Sequence, residues 1–74
     1  MNTLAQAIKM KREERDISAA SLSREAGFSP SYVAKIEAGM TPTIVGFAKL
    51  AKVLEFTNEE IVYTIRRAGE ESDR

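Results

Sequence analysis

The side chains that could do chemistry in this chain are carboxylates, amines, guanidinium groups and hydroxyls, because its 74 residues include no cysteine and no histidine. Thiol nucleophiles, imidazole bases, disulfides and the usual zinc sites are therefore excluded. Two carboxylate pairs are adjacent in the sequence, at 59–60 and 70–71, and adjacent residues diverge around a helix instead of converging on a substrate. The sequence predicts a protein that is not an enzyme and uses no cofactor, metal ion or small-molecule substrate.

The polar side chains best suited to binding are concentrated in one short segment. Ser29, Ser31 and Tyr32 supply hydroxyl groups, and Lys35 supplies an ammonium group. Hydroxyls donate and accept hydrogen bonds, and a cation attracts phosphate. The segment therefore predicts noncovalent recognition, provided that the surrounding elements hold these side chains on one surface.

Those elements are two short helices joined at Gly27. This glycine lies where the first helix needs a left-handed residue to end, a conformation that glycine adopts without steric cost. Ser29 is a good N-cap for the second helix, and Pro30 suits its first position, where the missing N–H costs nothing. Two helices joined by so short a turn predict a helix-turn-helix at about 19–37, which implies DNA as the partner. The alternative is a plain helical hairpin that uses the glycine only as a C-cap.

Apolar residues recur where the two helices and the turn would have to touch. They are Leu22, Ala26, Phe28, Val33 and Ile36. Ile17 precedes the cap of one helix and Phe28 the cap of the other, and each can pack on an apolar residue one turn into its helix. Independent local signals therefore agree on the same pair of helices.

The rest of the chain predicts three further helices and no strand, so the expected fold class is all-α, with five helices in one domain, 1–74. The helices are expected at about 3–15, 19–26, 30–37 and 44–54 and from Thr57 to about Gly69, followed by a polar tail at about 70–74. The core-facing residues expected on helix four are Ile44, Phe47, Leu50, Ala51 and Leu54. Those expected on helix five are Ile61, Ile65 and Ala68.

The fifth helix has more apolar surface than a core stripe needs. Val62 and Tyr63 lie on its flank, with Arg66 one turn further on. Surplus apolar surface on the last helix of a small domain predicts a homodimer contact at these three residues. The alternative is that Tyr63 only covers the edge of the core.

The charge distribution favours a nucleic-acid partner more than the net charge of zero does. Residues 1–54 contain eight basic and five acidic residues, a balance of +3, and residues 55–74 contain three basic and six acidic residues, a balance of −3. The helix-turn-helix part is thus the more basic one, as attraction to phosphate requires. No apolar run approaches the roughly 18 residues that span a bilayer, so we expect a cytoplasmic protein with no membrane partner.

From about Ile8 to Ile61 the chain resembles the lambda-repressor-like family of Cro and repressor proteins, also called the XRE family. The residues that carry the resemblance are Arg12, Ile17-Ser18, Leu22, Ala26-Gly27-Phe28-Ser29, Val33, Ile36-Glu37, Gly39, Pro42-Thr43-Ile44, Leu50-Ala51 and Leu54. The resemblance implies that helix three lies in the major groove and that dimers read half-sites about 34 Å apart. It also implies an internal ion pair between Arg12 and Glu37.

The resemblance further implies which side chains meet DNA. The candidate DNA-binding residues are Ser29, Pro30, Ser31, Tyr32, Lys35, Ala19, Thr41 and Thr43. Ser29 suits a phosphate oxygen, Ser31 several base edges, and Lys35 the O6 or N7 atom of guanine. Tyr32 can reach a phosphate or a thymine methyl group, or can instead be a partly buried cover for the turn. Pro30 can offer shape and apolar contact only.

The chain departs from the family pattern at several positions. Helix three has no Gln or Asn to read adenine, and Ala19 stands where a phosphate-binding Gln is common. Met40 and Thr41 replace the usual basic residue of the following loop. Ser23 stands where the family usually has Ala, and it adds a hydroxyl that needs a hydrogen-bond partner.

The sequence therefore predicts a sequence-specific transcriptional regulator, either a phage-type repressor or a plasmid or antitoxin-like regulator, that binds operator DNA as a homodimer. The alternative is a protein-binding module of the same fold, an antiactivator or adaptor, that captures another regulator through helices four and five. The neutral net charge and the missing phosphate contacts favour this alternative.

Overall fold

The structure, a computed structural model, describes residues 3–72 of the chain. These residues form five helices and no strand: α1 (Thr3–Glu14), α2 (Ala19–Glu25), α3 (Tyr32–Glu37), α4 (Ile44–Val53) and α5 (Asn58–Ser72). The predicted all-α class with five helices is thereby confirmed. None of these helices is both long enough and apolar enough to cross a membrane.

The core lies where α1, α2, α3 and α4 meet. Its buried apolar residues are Ala5, Ile8, Leu22, Val33, Ile36, Phe47, Leu50, Ala51 and Leu54. α2 packs on α3 and α4, while α1 packs on α3 and α5. The predicted helix-turn-helix therefore shares one core with the helices on either side of it, which fixes its orientation in the molecule.

Three of the helices begin with side-chain caps. The Ser18 hydroxyl accepts a hydrogen bond from the Ser21 N–H at the start of α2, at 3.1 Å, and Thr43 does the same for the Gly46 N–H of α4, at 3.0 Å. A capping box is present at the start of α5. The Thr57 hydroxyl accepts from the Glu60 N–H at 3.0 Å, while the Glu60 carboxylate accepts from the Thr57 N–H at 2.8 Å.

Two residues expected in the core are exposed instead. Ile44 is 72% exposed and Ile65 is 40% exposed. Ile44 is the first residue of α4, and its turn extends past the core into a shallow groove that Ile65 lines from α5. The helical pattern predicts the buried residues in the middle of α4, but periodicity cannot show where a helix runs beyond the layer that it packs on.

The buried face of α5 also differs from the prediction. Thr64 is buried, and its hydroxyl donates to the Glu60 carbonyl of the preceding turn at 2.7 Å, which satisfies it inside the protein. α5 continues through Gly69 to Ser72, so the first part of the expected polar tail is helical. The Glu71 carboxylate accepts the Thr3 N–H at 2.8 Å and joins this last turn to the start of α1. The end of that tail, 73–74, lies outside the described residues.

Candidate nucleic-acid interface

The turn between α2 and α3 requires Gly27 for its backbone conformation. Its φ is +88°, in the left-handed region, and a Cβ placed there would meet no described atom within 4 Å beyond its chain neighbours. The Gly27 N–H donates to the Arg24 carbonyl at 3.0 Å, and the Phe28 N–H donates to the Ser23 carbonyl at 2.9 Å. The glycine thus closes α2 and turns the chain toward α3, and it is the conformation, not lack of space, that excludes other residues.

α3 begins two residues later than predicted. The Tyr32 N–H donates to the Ser29 carbonyl at 3.0 Å, which closes a tight turn over 29–32 before regular helix begins at Tyr32. Pro30 is well placed in such a turn because its φ is fixed near the required value. The Ser29 hydroxyl lies 3.5 Å from the Ser31 hydroxyl and not on a helix N–H, so the predicted cap is replaced by a backbone turn.

α3 buries one face and presents the other to solvent. Val33 and Ile36 are fully buried, whereas Ser31 and Lys35 are exposed, as are Ser29 and Pro30 in the turn before them. The same exposed face includes Ala34 and Ala38. The sequence prediction did not include these two alanines, because alanine has no polar side-chain group. The spacing from Val33 and Ile36 would have placed both on the outer face.

Tyr32 is held between the turn and α4. Its ring stacks on Phe28 with 4.0 Å between ring centroids and 18° between ring planes. Its hydroxyl lies against Gly46, where an added Cβ would overlap it. The side chain is half-buried, which corresponds to the alternative of a cover for the turn.

The three remaining candidates for DNA contact lie before and after α3 in the chain. Ala19, the first residue of α2, is half-buried against the core and offers no polar side-chain group. Thr41 lies exposed in the loop between α3 and α4, and Thr43 is exposed at the cap of α4. The two threonines and the exposed α3 residues therefore lie on consecutive segments of the chain: the turn before α3, α3 itself, the loop after it and the start of α4.

Ion pairs within residues 3–72 neutralise several of the cations on or next to α1 and α5, and none of those on α2 to α4. The paired ones outside the core are Lys11 with Glu60 at 2.7 Å, Arg15 with Glu55 at 3.2 Å and Arg67 with Glu70 at 3.5 Å. The cations that make no ion pair with any carboxylate of residues 3–72 include Arg24, Lys35, Lys49 and Lys52. Four of the six unpaired cations of residues 3–72 therefore lie on the helix-turn-helix and α4, and the other two are Lys9 on α1 and Arg66 on α5.

Arg12 and Glu37 form the pair that the resemblance implies. The Arg12 Nε lies 2.8 Å from Glu37 Oε2 and Nη2 lies 3.0 Å from Oε1, so the pair is bidentate. Arg12 Nη1 also donates to the Ile17 carbonyl at 3.0 Å. The two side chains are only 16% and 15% exposed, and hydrogen bonding to Glu37 raises the pKa of Arg12 above its ordinary value. The pair ties α1 to the end of α3 and to the residues that enter α2.

The candidate dimer residues lie together on the outer face of α5. Val62 is 53% exposed and Tyr63 62% exposed, and Arg66 is exposed one turn further on. The Tyr63 hydroxyl accepts a hydrogen bond from Arg67 Nη1 at 3.1 Å. The Tyr63 side chain therefore faces mainly solvent.

Comparison with known proteins agrees with this geometry. A family model described as helix-turn-helix matches residues 8–62, which is well over half of the chain. No curated protein and no solved structure matches the chain. The matched family consists of DNA-binding regulatory domains and is not typically enzymatic. The chain therefore belongs to the XRE, or lambda-repressor-like, family of helix-turn-helix proteins.

Proposed function

We propose that the protein is a sequence-specific transcriptional regulator, of the phage-repressor or plasmid and antitoxin type, that binds operator DNA as a homodimer with α3 in the major groove. The observation that carries this proposal is that α3 has one buried face and one exposed face. Val33 and Ile36 anchor one face in the core, and Ser31, Lys35 and the alanines between and after them form an exposed face. A helix held in this way can enter a groove without exposing apolar core residues.

The exposed face of α3 can contact only a few kinds of group on the base edges. Lys35 can donate to O6 or N7 of guanine, and Ser31 can donate to or accept from either base of a pair. Ala34 and Ala38 allow the helix to approach closely, and an alanine methyl group can contact the methyl group of thymine. We therefore expect a short base code in which one guanine contact dominates.

Hydroxyl groups on either side of α3 suit the phosphate backbone. Ser29 and Thr41 are exposed, and Thr43 uses its oxygen to accept the Gly46 N–H, which leaves its own O–H proton available to a phosphate oxygen. The unpaired cations of α2 to α4 supply the attraction that does not depend on sequence. Neither contribution needs the Gln that is common in the family at the position of Ala19.

The outer face of α5 is self-complementary, which supports a dimer. If two α5 helices pack antiparallel about a two-fold axis between Val62 and Tyr63, residue 59 of one helix lies opposite residue 66 of the other. Glu59 would then face Arg66 of the second copy, and the same pair would recur on the other side of the axis. Val62 and Tyr63 would fill the apolar centre between the two charge pairs.

A salt titration tests the DNA-binding proposal at low cost. Binding to random duplex DNA should fall steeply between about 50 and 200 mM salt, because phosphate contacts release counterions. The absence of binding at about 50 mM salt would contradict it. The same titration of a variant with Lys49 and Lys52 both changed to Ala should give a shallower slope.

The structure adds one observation that favours the protein-binding alternative, the exposed apolar pair Ile44 and Val45 at the start of α4. On this alternative the two side chains would be buried by a partner protein, and affinity for that partner would change little with salt. The titration against DNA therefore separates the two functions. A regulator binds the duplex at low salt and loses this binding as salt is added, whereas a protein-binding module does not bind the duplex.

A further inference from the structure

The junction between α2 and α3 contains a buried hydroxyl that is shared by both helices. Ser23, in the middle of α2, has no exposed surface. Its Oγ donates to the Ala19 carbonyl of its own helix at 2.8 Å. The same atom accepts a hydrogen bond from the Val33 N–H of α3 at 3.0 Å. The Ser23 hydroxyl, for which the sequence indicated no partner, therefore has a hydrogen-bond partner in each of the two helices.

The contact matters because no side chain at the start of α3 caps this helix. The first N–H groups of any helix need acceptors from outside the helical pattern. In α3 the cap position is Ser31, whose side chain makes no capping hydrogen bond with the described residues. The Tyr32 N–H is satisfied by the Ser29 carbonyl, but the next N–H, that of Val33, is buried and bonds to Ser23 of the other helix.

We propose that Ser23 is a positioning residue for DNA reading: its hydroxyl caps α3 from α2 and thereby fixes the first turn of the reading helix against the helix behind it. This inference rests on the proposed function, since it assumes that α3 reads base edges. The backbone at the same residue contributes as well, because the Ser23 carbonyl accepts the Phe28 N–H at 2.9 Å. Ser23 therefore holds both the turn and the helix that follows it.

Loss of the Ser23 hydroxyl is expected to weaken the reading of bases but not the general attraction to DNA. Hydrogen bonds to base edges depend on the placement of Ser31 and Lys35, whereas attraction to the phosphate backbone depends mainly on charge. Ser23→Ala removes one oxygen, leaves the charge unchanged and adds no volume to the core. It leaves the buried Val33 N–H without an acceptor, so the first turn of α3 loses a fixed anchor.

The first test needs no DNA. Amide hydrogen exchange is measured on the full chain as the wild type, as Ser23→Ala and as the matched control Ser21→Ala, which makes the same change at an exposed position of the same helix. We expect the Val33 amide to be protected in the wild type and in Ser21→Ala. In Ser23→Ala it should exchange roughly tenfold faster relative to the Leu50 amide. Equal protection of Val33 in all three proteins would overturn the cap.

The second test uses a site selected from random duplexes and a scrambled duplex of the same length, at a temperature where circular dichroism shows every variant folded. Ser23→Ala should lower affinity for the selected site by roughly tenfold and leave affinity for the scrambled duplex unchanged, while Ser21→Ala changes neither. An equal loss on both duplexes, or no loss on either, would overturn the positioning role. If the wild type selects no site, the proposed function fails, and the exchange experiment still decides whether Ser23 caps α3.

Discussion

At the scale of single residues, the proposed reading of bases by the exposed side of α3 depends chiefly on Lys35. Its ammonium group is exposed and makes no ion pair with the described carboxylates, so it is available to a ligand. Ser31 can bond to several base edges and therefore discriminates little. The residues that hold α3 in place, Ser23 and the Arg12–Glu37 pair, lie on its other side.

Lys35→Ala should cost about 1 to 3 kcal/mol at the selected site and relax the preference at one base pair. The physical reason is the loss of a charged donor to a guanine edge. Fluorescence anisotropy with the selected duplex and with single-base variants of it measures both effects. Lys9→Ala, an exposed lysine on α1, is the matched control and should change neither. An equal loss on every duplex would show that Lys35 contacts only phosphate.

Arg12→Ala should lower the stability of the free protein by about 3 kcal/mol, because it leaves Glu37 charged and largely buried without its partner. For a domain of this size that corresponds to a fall in Tm of roughly 10 °C or more. Thermal unfolding followed by circular dichroism gives the value. Arg67→Ala, which breaks an exposed pair with Glu70, should change Tm little. Similar Tm values for the two variants would contradict a structural role for the Arg12–Glu37 pair.

Residues whose partners lie nearby in sequence were the predictable ones. Gly27 and the Thr57–Glu60 capping box follow from rules that span a few residues, and the structure has both. Ser23 and Tyr32 each have one partner on another helix, Val33 on α3 and Gly46 on α4, and these contacts are known only once α2, α3 and α4 are docked. The sequence could show that Ser23 needed a partner, but not that α3 lacked a cap of its own.

At the scale of elements, α1 and α5 are joined by two contacts that depend on ionised carboxylates. Lys11 pairs with Glu60 near the start of α5, and the Thr3 N–H bonds to Glu71 near its end. The hydrogen bond to Lys11, followed by that to the Thr57 N–H, lowers the pKa of Glu60. The Thr3 N–H lowers the pKa of Glu71 in the same way. Docking of α5 is therefore expected to be sensitive to acid.

A lowered pKa in the folded state stabilises the protein above the ordinary glutamate pKa of about 4.3, and this contribution is lost as the pH falls through and below that value. Glu60→Gln keeps the capping box, since Gln also serves there, but removes the charge. We expect Tm of the variant to fall less than that of the wild type between neutral and acidic pH. Thermal unfolding over a pH series measures this, with Glu25→Gln, at an exposed position of α2, as the control. Parallel curves for the wild type and Glu60→Gln would contradict this account of the α1–α5 contact.

At the scale of the whole molecule, α2 to α4 carry four cations that pair with none of the described carboxylates, and the outer face of α5 carries exposed apolar and charged residues. Composition and charge balance predicted the distribution of these cations only in part, because the ion pairs that neutralise Lys11 and Arg15 are visible only in the folded chain. The exposure of Ile44 and Ile65 was likewise not predictable, since it depends on where α4 and α5 run past the core.

The proposed dimer makes a prediction about paired charges. Glu59→Arg alone should weaken self-association, because it places two arginines opposite each other across the axis, and Arg66→Glu alone should weaken it by placing two glutamates there. The double variant restores opposite charges and should recover the association of the wild type. Sedimentation equilibrium of the four proteins measures this. A double variant as weak as either single one would contradict antiparallel α5 pairing.

Selection of bound sites from a pool of random duplexes tests most directly the claim that α3 reads DNA. We predict enrichment of an inverted repeat whose half-sites are centred one helical turn apart, about 10 to 10.5 base pairs or a multiple of it. Each half-site should contain a guanine whose enrichment is lost with Lys35→Ala. A pool that remains random after repeated rounds with the wild-type protein would contradict the claim.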